Sequence, residues 1–196
     1  MQTNNILSIP CNRAQGNRNG EDDGILYPKV GWKGKAVMVN DETIMNDYEI
    51  SKMTRAIVVA KEIGFSSRIY DRTGTYLSKT TPVDLIRQAC LEAGVTYEGR
   101  RKAVIYHLKY EQQTPIIVST WNGISVFPTE SPESLECCWV FYQHVRDAYA
   151  MTKNSTKILF QDGFELIVPV SKGRLQKQME RTGRWVSHYS NNPVYC

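Results

Sequence analysis

Residues 114–129 read Thr-Pro-Ile-Ile-Val-Ser-Thr-Trp-Asn-Gly-Ile-Ser-Val-Phe-Pro-Thr. Asn122-Gly123 accepts positive φ at both positions, as a two-residue type I′ turn requires, and it lies between two β-branched and aromatic runs. The stretch therefore predicts a hairpin. Such a turn sets Trp121 opposite Ile124 and Val118 opposite Phe127. Pro115 and Pro128 mark its ends, because neither can donate to a ladder. Apolar residues fall on both faces, so the hairpin belongs inside a domain. On either side the chain turns basic, at Arg100-Arg101-Lys102 and again after Ser171.

A chain of 196 residues with a 41% hydrophobic fraction can bury a core of one ordinary domain and still carry an arm. The net charge of +4 is unevenly spread. Residues 1–47 hold five basic and six acidic side chains, which leaves nineteen against fourteen beyond them. The globular part is the basic part, and phosphate-bearing partners fit it. Five cysteines show no C-x-x-C spacing and no Cys/His comb, so neither a disulfide framework nor a metal site is indicated, and a reducing cytoplasm is expected. No apolar run reaches membrane-spanning length, and the N-terminus lacks a basic region leading into a hydrophobic one. A soluble, unexported protein without membrane contact is expected.

Residues 1–34 are Asn-, Gly- and charge-rich at first, with little periodicity, and are expected to form a flexible arm. Within them Ile25-Leu26-Tyr27-Pro28-Lys29 is a short apolar island suited to docking. Lys35–Val39 and Tyr48–Ala60 read as strands, and residues 67–70 and 75–78 as a second hairpin through Asp71-Arg72-Thr73-Gly74. Thr81-Pro82 opens an amphipathic helix with Val83, Ile86, Ala89 and Cys90 on one face, and Gly94 closes it. Gly99 precedes three cations that a loop would present, with Ala103–Leu108 resuming a strand. Cys138–Tyr142 reads as a buried strand with His144 beside it, and Asp162-Gly163 as the turn of a third hairpin.

Ser171 caps a last helix to about Trp185. Leu175, Met179, Thr182 and Val186 cluster on one side of it, and Arg174, Lys177, Arg181 and Arg184 on another. Gly183 weakens its final turn. The expected fold is α+β, a predominantly antiparallel β-sheet with hairpins and about two helices. It has an arm over 1–34, a domain over 35–189 and a short tail over 190–196.

From Tyr48 to about Trp185 the order of features resembles the ComK family of competence transcription factors. The resemblance is carried by residues 97–102 (Tyr-Glu-Gly-Arg-Arg-Lys), Pro115-Ile116-Ile117-Val118, and Phe127-Pro128-Thr129 with Ser131. It continues through Cys138-Trp139-Val140 with His144 and Val145, Pro169 with Ser171, and Gln178 with Arg181-Thr182. It implies a sequence-specific DNA-binding activator of competence genes, without cofactor, that reads A·T-rich boxes of promoter DNA through the minor groove as a homo-oligomer built from dimers. Such a protein would work with RNA polymerase on the nucleoid. Compared with the family pattern this chain has an N-terminal extension and stops soon after the basic helix, where ComK carries a tail used in activation, oligomerisation and recognition by a Clp-protease adaptor. The adaptor-binding motif resembles Leu26-Tyr27-Pro28-Lys29, which lies at the opposite end here.

A narrow A-tract groove favours arginine, and its edges distinguish chiefly A·T from G·C. The expected DNA-binding residues are therefore Arg100, Arg101 and Lys102, presented by their loop, and Arg174, Lys177, Arg181 and Arg184, following phosphates. An enzyme is not expected. The best catalytic pairing, Cys138 with His144, would lie about 20 Å apart along one strand, too far for proton transfer. The alternative is a ComK-like interaction or regulatory module that binds a protein partner and has lost the activation tail.

Overall fold

The computed structural model describes residues 37–39 and 42–191. In chain order these form β1 (Val37–Val39), β2 (Glu42–Ile44), β3 (Thr54–Val59), β4 (Ser67–Asp71), β5 (Gly74–Ser78), α1 (Pro82–Glu92), α2 (Tyr97–Leu108), β6 (Ile116–Ser119), β7 (Ile124–Pro128) and β8 (Trp139–Phe141). A 3-10 turn over Tyr142–His144 then leads into β9 (Val145–Thr152), β10 (Ser155–Phe160), β11 (Glu165–Val168) and α3 (Lys172–Asn191). The larger sheet has the order β1-β2-β5-β4-β3-β8-β7-β6, the smaller β11-β10-β9. All neighbours are antiparallel except β2 and β5. The α+β class with hairpins is as the sequence predicts. The expected arm over 1–34 and its apolar island lie outside the described residues, and of the tail expected over 190–196 only residues 190 and 191 are described, where they continue α3.

Alternation along the central strands builds the layers. Ile57, Val126, Trp139 and Phe141 turn to one face, where Leu85, Ile86, Ala89 and Cys90 of α1 pack on them. Ala56, Phe127 and Val140 turn to the other, against Ala148, Ile158, Phe160 and Val168 of the small sheet and Leu175 of α3. Strands covered on both faces are apolar nearly throughout, which is why β8 reads as an unbroken hydrophobic run and β7 is interrupted only by Ser125. Each of the fully buried Phe127, Trp139 and Phe141 contributes about 1.5–3 kcal/mol by leaving water. Helix α1 is fixed at both ends. The Thr81 hydroxyl oxygen accepts the Asp84 N–H (3.3 Å), and beyond Gly94 (φ 75°) the Val95 N–H donates to the Cys90 carbonyl (3.0 Å).

The central hairpin forms with a different register from the expected one. Only Gly123 of the Asn-Gly pair takes positive φ (65°). Ser119 pairs with Ile124 and Ile117 with Ser125, and a bulge at Val118 removes the Val118–Phe127 pairing. The Thr120 carbonyl accepts the Gly123 N–H (3.3 Å) and the Ser119 hydroxyl accepts the Asn122 N–H (3.2 Å). These two bonds close a four-residue loop and lift Trp121 out of the ladder, 96% exposed. The strand expected from Tyr48 begins only at Thr54. Before it, Tyr48 turns inward, its hydroxyl 2.7 Å from Asp71 Oδ2 and 2.6 Å from Thr54 Oγ1.

Residues 97–108 are a helix rather than a loop followed by a strand. Thr96 caps it by accepting the Gly99 N–H (3.0 Å), Glu98 complements its first turn, and Tyr97 and Val104 are buried. Local β-preference at Val104-Ile105 yields to this packing. Strand β9, not anticipated, completes the small sheet by pairing with β10. Helix α3 runs past Gly183 to Asn191 without breaking. A Cβ at Gly183 would meet the Tyr142 hydroxyl at 2.9 Å, so glycine is there to admit that ring. The third hairpin turns at Gly163 (φ 87°), as expected.

Candidate nucleic-acid interface

The side of α3 that packs is centred on Leu175, Gln178, Thr182 and Trp185, all buried, with Met179 and Val186 at its margins. The remaining arc is cationic. Across Lys172–Asn191 five lysines and arginines stand against one acid, Glu180. Lys177 and Arg184 are exposed and enter no ion pair among the described residues. Arg181 is half-buried, its guanidinium 4.5 Å from the Tyr110 ring centroid and donating to the Gln112 carbonyl at 3.1 Å. Arg174 is gripped at both prongs, Nη1 to Glu130 Oε1 and Nη2 to Glu130 Oε2, each at 2.7 Å. That fork-to-fork geometry is the strongest arrangement of the pair.

The other expected cluster is divided by the helical form of α2, since consecutive residues on a helix point about 100° apart. Arg100 turns toward α3, donating to the Tyr189 hydroxyl at 3.0 Å with its guanidinium 5.6 Å from the ring centroid. Arg101 donates to the Glu111 carbonyl (2.9 Å) inside a groove of about 610 Å³ shared with Arg87, Glu98, Glu111, Glu130 and Glu133. Four carboxylates against two guanidiniums make that groove a poor seat for phosphate. Lys102 is exposed.

Helices α2 and α3 lie side by side over β6, with Val104, Ile117 and Trp185 as the shared core. Their contacts run in opposite order along the two helices: Arg100 with Tyr189, His107 with Trp185 and His188, then Tyr110 with Arg181. The His107 and His188 rings are 4.8 Å apart. The seam thus gathers aromatic and imidazole rings, with Lys177 and Arg184 on its α3 flank. Tyr106 and Lys109 on α2, absent from the sequence reading, also stand in solvent here. Their spacing of four and then three residues from Lys102 would have singled them out once this segment was assigned as helix.

Burial decides the state of the thiols. It pushes Cys138 up to about 12, and Cys90 and Cys137 up to about 11, so all three stay protonated at neutral pH. Desolvation lowers His144 in turn, and its buried Nε2 has no hydrogen-bond partner. An un-ionised thiol just before β8 and a neutral imidazole in the turn after it make no nucleophile–base pair. Among the described residues no group of three or more His, Cys, Asp or Glu side chains could hold a metal ion, and no helix is long and apolar enough to cross a membrane.

A competence transcription factor of Bacillus subtilis (strain 168) is 26% identical over 139 residues, which covers 70% of this chain and 72% of that protein. No solved structure matches. The family model described as ComK protein matches residues 45–192, a span that takes in the core of both sheets and the two basic helices, and the chain therefore belongs to the ComK family.

Proposed function

We propose that this protein is a sequence-specific DNA-binding transcription activator of competence genes that binds A·T-rich boxes through the minor groove as an oligomer. The observation that carries the reading is the outer arc of α3. Lys177 and Arg184 are exposed there beside Arg181, on a helix with a single acid. Such a row is suited to track phosphates, and the narrow, strongly negative groove of A·T-rich DNA draws cations most. The similar Bacillus subtilis protein is a competence transcription factor, and its likeness supports the same role here. On this reading the protein acts in the cytoplasm on the nucleoid, with RNA polymerase as its downstream partner.

The test is a titration of the full chain against A·T-rich and G·C-rich duplexes of equal length at fixed salt. Preference for the A·T-rich duplex is expected. Equal affinity for both would overturn the reading.

A second reading, a protein-binding module that does not read DNA, draws on the outer face of the small sheet. Tyr149 pairs in register with Lys157 and Lys157 with Ile167, so the three share one face. Tyr149 and Ile167 are exposed large apolar side chains there, as is Met151 on the same strand. Absence of any sequence preference in the titration would favour this module.

A further inference from the structure

We infer that α2 is a second DNA-contacting element, in which Lys102 and Lys109 engage the phosphates of the strand opposite the one followed by α3 and Tyr106 enters the groove between them. The inference rests on the DNA-binding reading above and adds residues that it does not require.

Residues 102, 106 and 109 follow the spacing that puts side chains on one face of a helix, and all three are exposed. The only acid within α2 is Glu98, at the opposite end. Tyr106 is 73% exposed, and the Lys109 ammonium lies 5.5 Å from its ring centroid. A lone exposed aromatic is ordinary, but one bracketed by two lysines offers a stacking surface with a cation on either side.

Lys109 itself is in an unusual conformation. It is the C-cap of α2 at φ 58°, in the left-handed region, and its N–H donates to the Ile105 carbonyl. At the end of α1 and in the turns at 123 and 163 this region is occupied by glycine, which adopts it without strain. A side chain kept where glycine would be easier points to a use for that side chain.

Helices α2 and α3 meet through the large side chains of the seam, His107 against Trp185 and His188 and Arg100 against Tyr189. On the helical wheel Lys102 and Lys109 fall on the flank of α2 away from α3, and Lys177 and Arg184 on the outer flank of α3. Tyr106 falls nearer the seam, its ring 4.9 Å from that of His107, which in turn meets His188. The walls of a B-DNA minor groove are about 6 Å apart, narrower than two helices side by side. The seam therefore straddles the groove mouth from outside, and the long lysine and arginine side chains reach in toward the phosphates of both walls. Tyr106 then lies over the opening.

The experiment is fluorescence anisotropy of the full chain on an A·T-rich duplex between 50 and 200 mM salt, with a G·C-rich duplex alongside. Lys102→Gln with Lys109→Gln should lower the log–log salt slope by about 1.8, at about 0.9 per phosphate contact. Tyr106→Ala should weaken A·T-rich binding roughly tenfold, as loss of an aromatic wedge from the groove, with the slope unchanged. Lys109→Gly separates function from structure. It should leave the thermal midpoint unchanged or raised, since glycine suits the left-handed cap, while still lowering the slope by about 0.9. A fall in midpoint with an unchanged slope would make Lys109 a structural cap and overturn the inference. Wild-type binding by all the α2 variants, with Lys177→Gln and Arg184→Gln losing slope, would overturn it and leave the DNA-binding reading standing. Wild-type protein with no preference between duplexes would remove that reading, and the inference with it.

Discussion

The Glu130 clamp on Arg174 makes an unequal forecast for residues that sequence alone treats as equivalent. Each cation that neutralises a phosphate adds about 0.9 to the magnitude of the salt slope, which between 50 and 200 mM salt is about a 3.5-fold change in affinity. Lys177→Gln and Arg184→Gln should each forfeit that amount, because both side chains are exposed. Arg174→Gln should not. Its guanidinium is engaged at both prongs by Glu130, whose side chain is only 21% exposed, and is not available to a phosphate without breaking that pair. The converse substitution is the more telling one. Glu130→Gln removes the charge that holds Arg174, and should steepen the slope by up to about 0.9 while affinity at 50 mM salt rises. Anisotropy titrations at four salt concentrations would measure all four variants, with circular dichroism to show that each is folded. If Arg174→Gln flattens the slope as much as Lys177→Gln does, the clamp does not hold in solution. If Lys177 and Arg184 variants keep the wild-type slope, the outer arc of α3 does not face phosphate.

Gly183→Ala trades about 1 kcal/mol of helix propensity against a Cβ only 2.9 Å from the Tyr142 hydroxyl and 3.6 Å from its Cζ. It should therefore be neutral or destabilising in the wild type and stabilising by about 1 kcal/mol in a Tyr142→Phe background. Urea denaturation giving effects additive to within about 0.4 kcal/mol would refute the contact. Asp162 bridges Arg55 (Nε to Oδ2, 2.7 Å) and Arg72 (3.4 Å). Burial, the largest single influence, pushes its carboxyl upward, but the Arg55 hydrogen bond, the Phe164 N–H and the Arg55 charge together hold it below the usual range. The stability it confers is therefore present above about pH 4, the unfolded value, and lost as pH falls through the lower folded value. Asp162→Asn should cost about 1–2 kcal/mol at pH 7 and progressively less below pH 4, and a penalty that does not change with pH would argue against the charge pairing. Deleting residues 25–29 should lengthen the half-life of the protein in a Clp-adaptor-dependent degradation assay, and an unchanged half-life with adaptor present would discard the docking role of that peptide.

What the sequence disclosed depended on whether the signal was local. The turns at Gly123 and Gly163 and the closure of α1 at Gly94 were legible because a positive φ favours glycine within the turn itself. Thr81-Pro82 announced α1 for the same reason, since cap and first turn are adjacent residues. Helix α2 was not legible. Its buried residues are few, its cations point in several directions, and Val104-Ile105 imitates a strand, so only the contact with Ile117 and Trp185 settles its form. Strand β9 was missed because Ala148 is the one residue on it that is buried, leaving almost no alternation to read. At the candidate site the cationic arc of α3 followed from the helical wheel. The engagement of Arg174 did not, because Glu130 arrives from a loop far away in the chain, and neither did the capture of Arg100 by Tyr189.

Inside the edge pair β1-β2, the larger sheet consists of two stretches that are each local in the chain, β3-β4-β5 and β6-β7-β8, joined where β3 pairs with β8. The join consists of two register pairs, Ala56 with Val140 and Ile57 with Trp139, and all four side chains are fully buried. Each three-strand stretch can assemble through short loops, whereas the join must close a loop on the order of 80 residues, at an entropic cost of about 4 kcal/mol before any contact is gained. Folding speed should accordingly be governed by this one encounter, and substitutions at Ile57 or Trp139 should slow refolding more than comparable ones within either stretch. The same join is where two chains folding together at high concentration would exchange halves, one supplying β3 and the other β8.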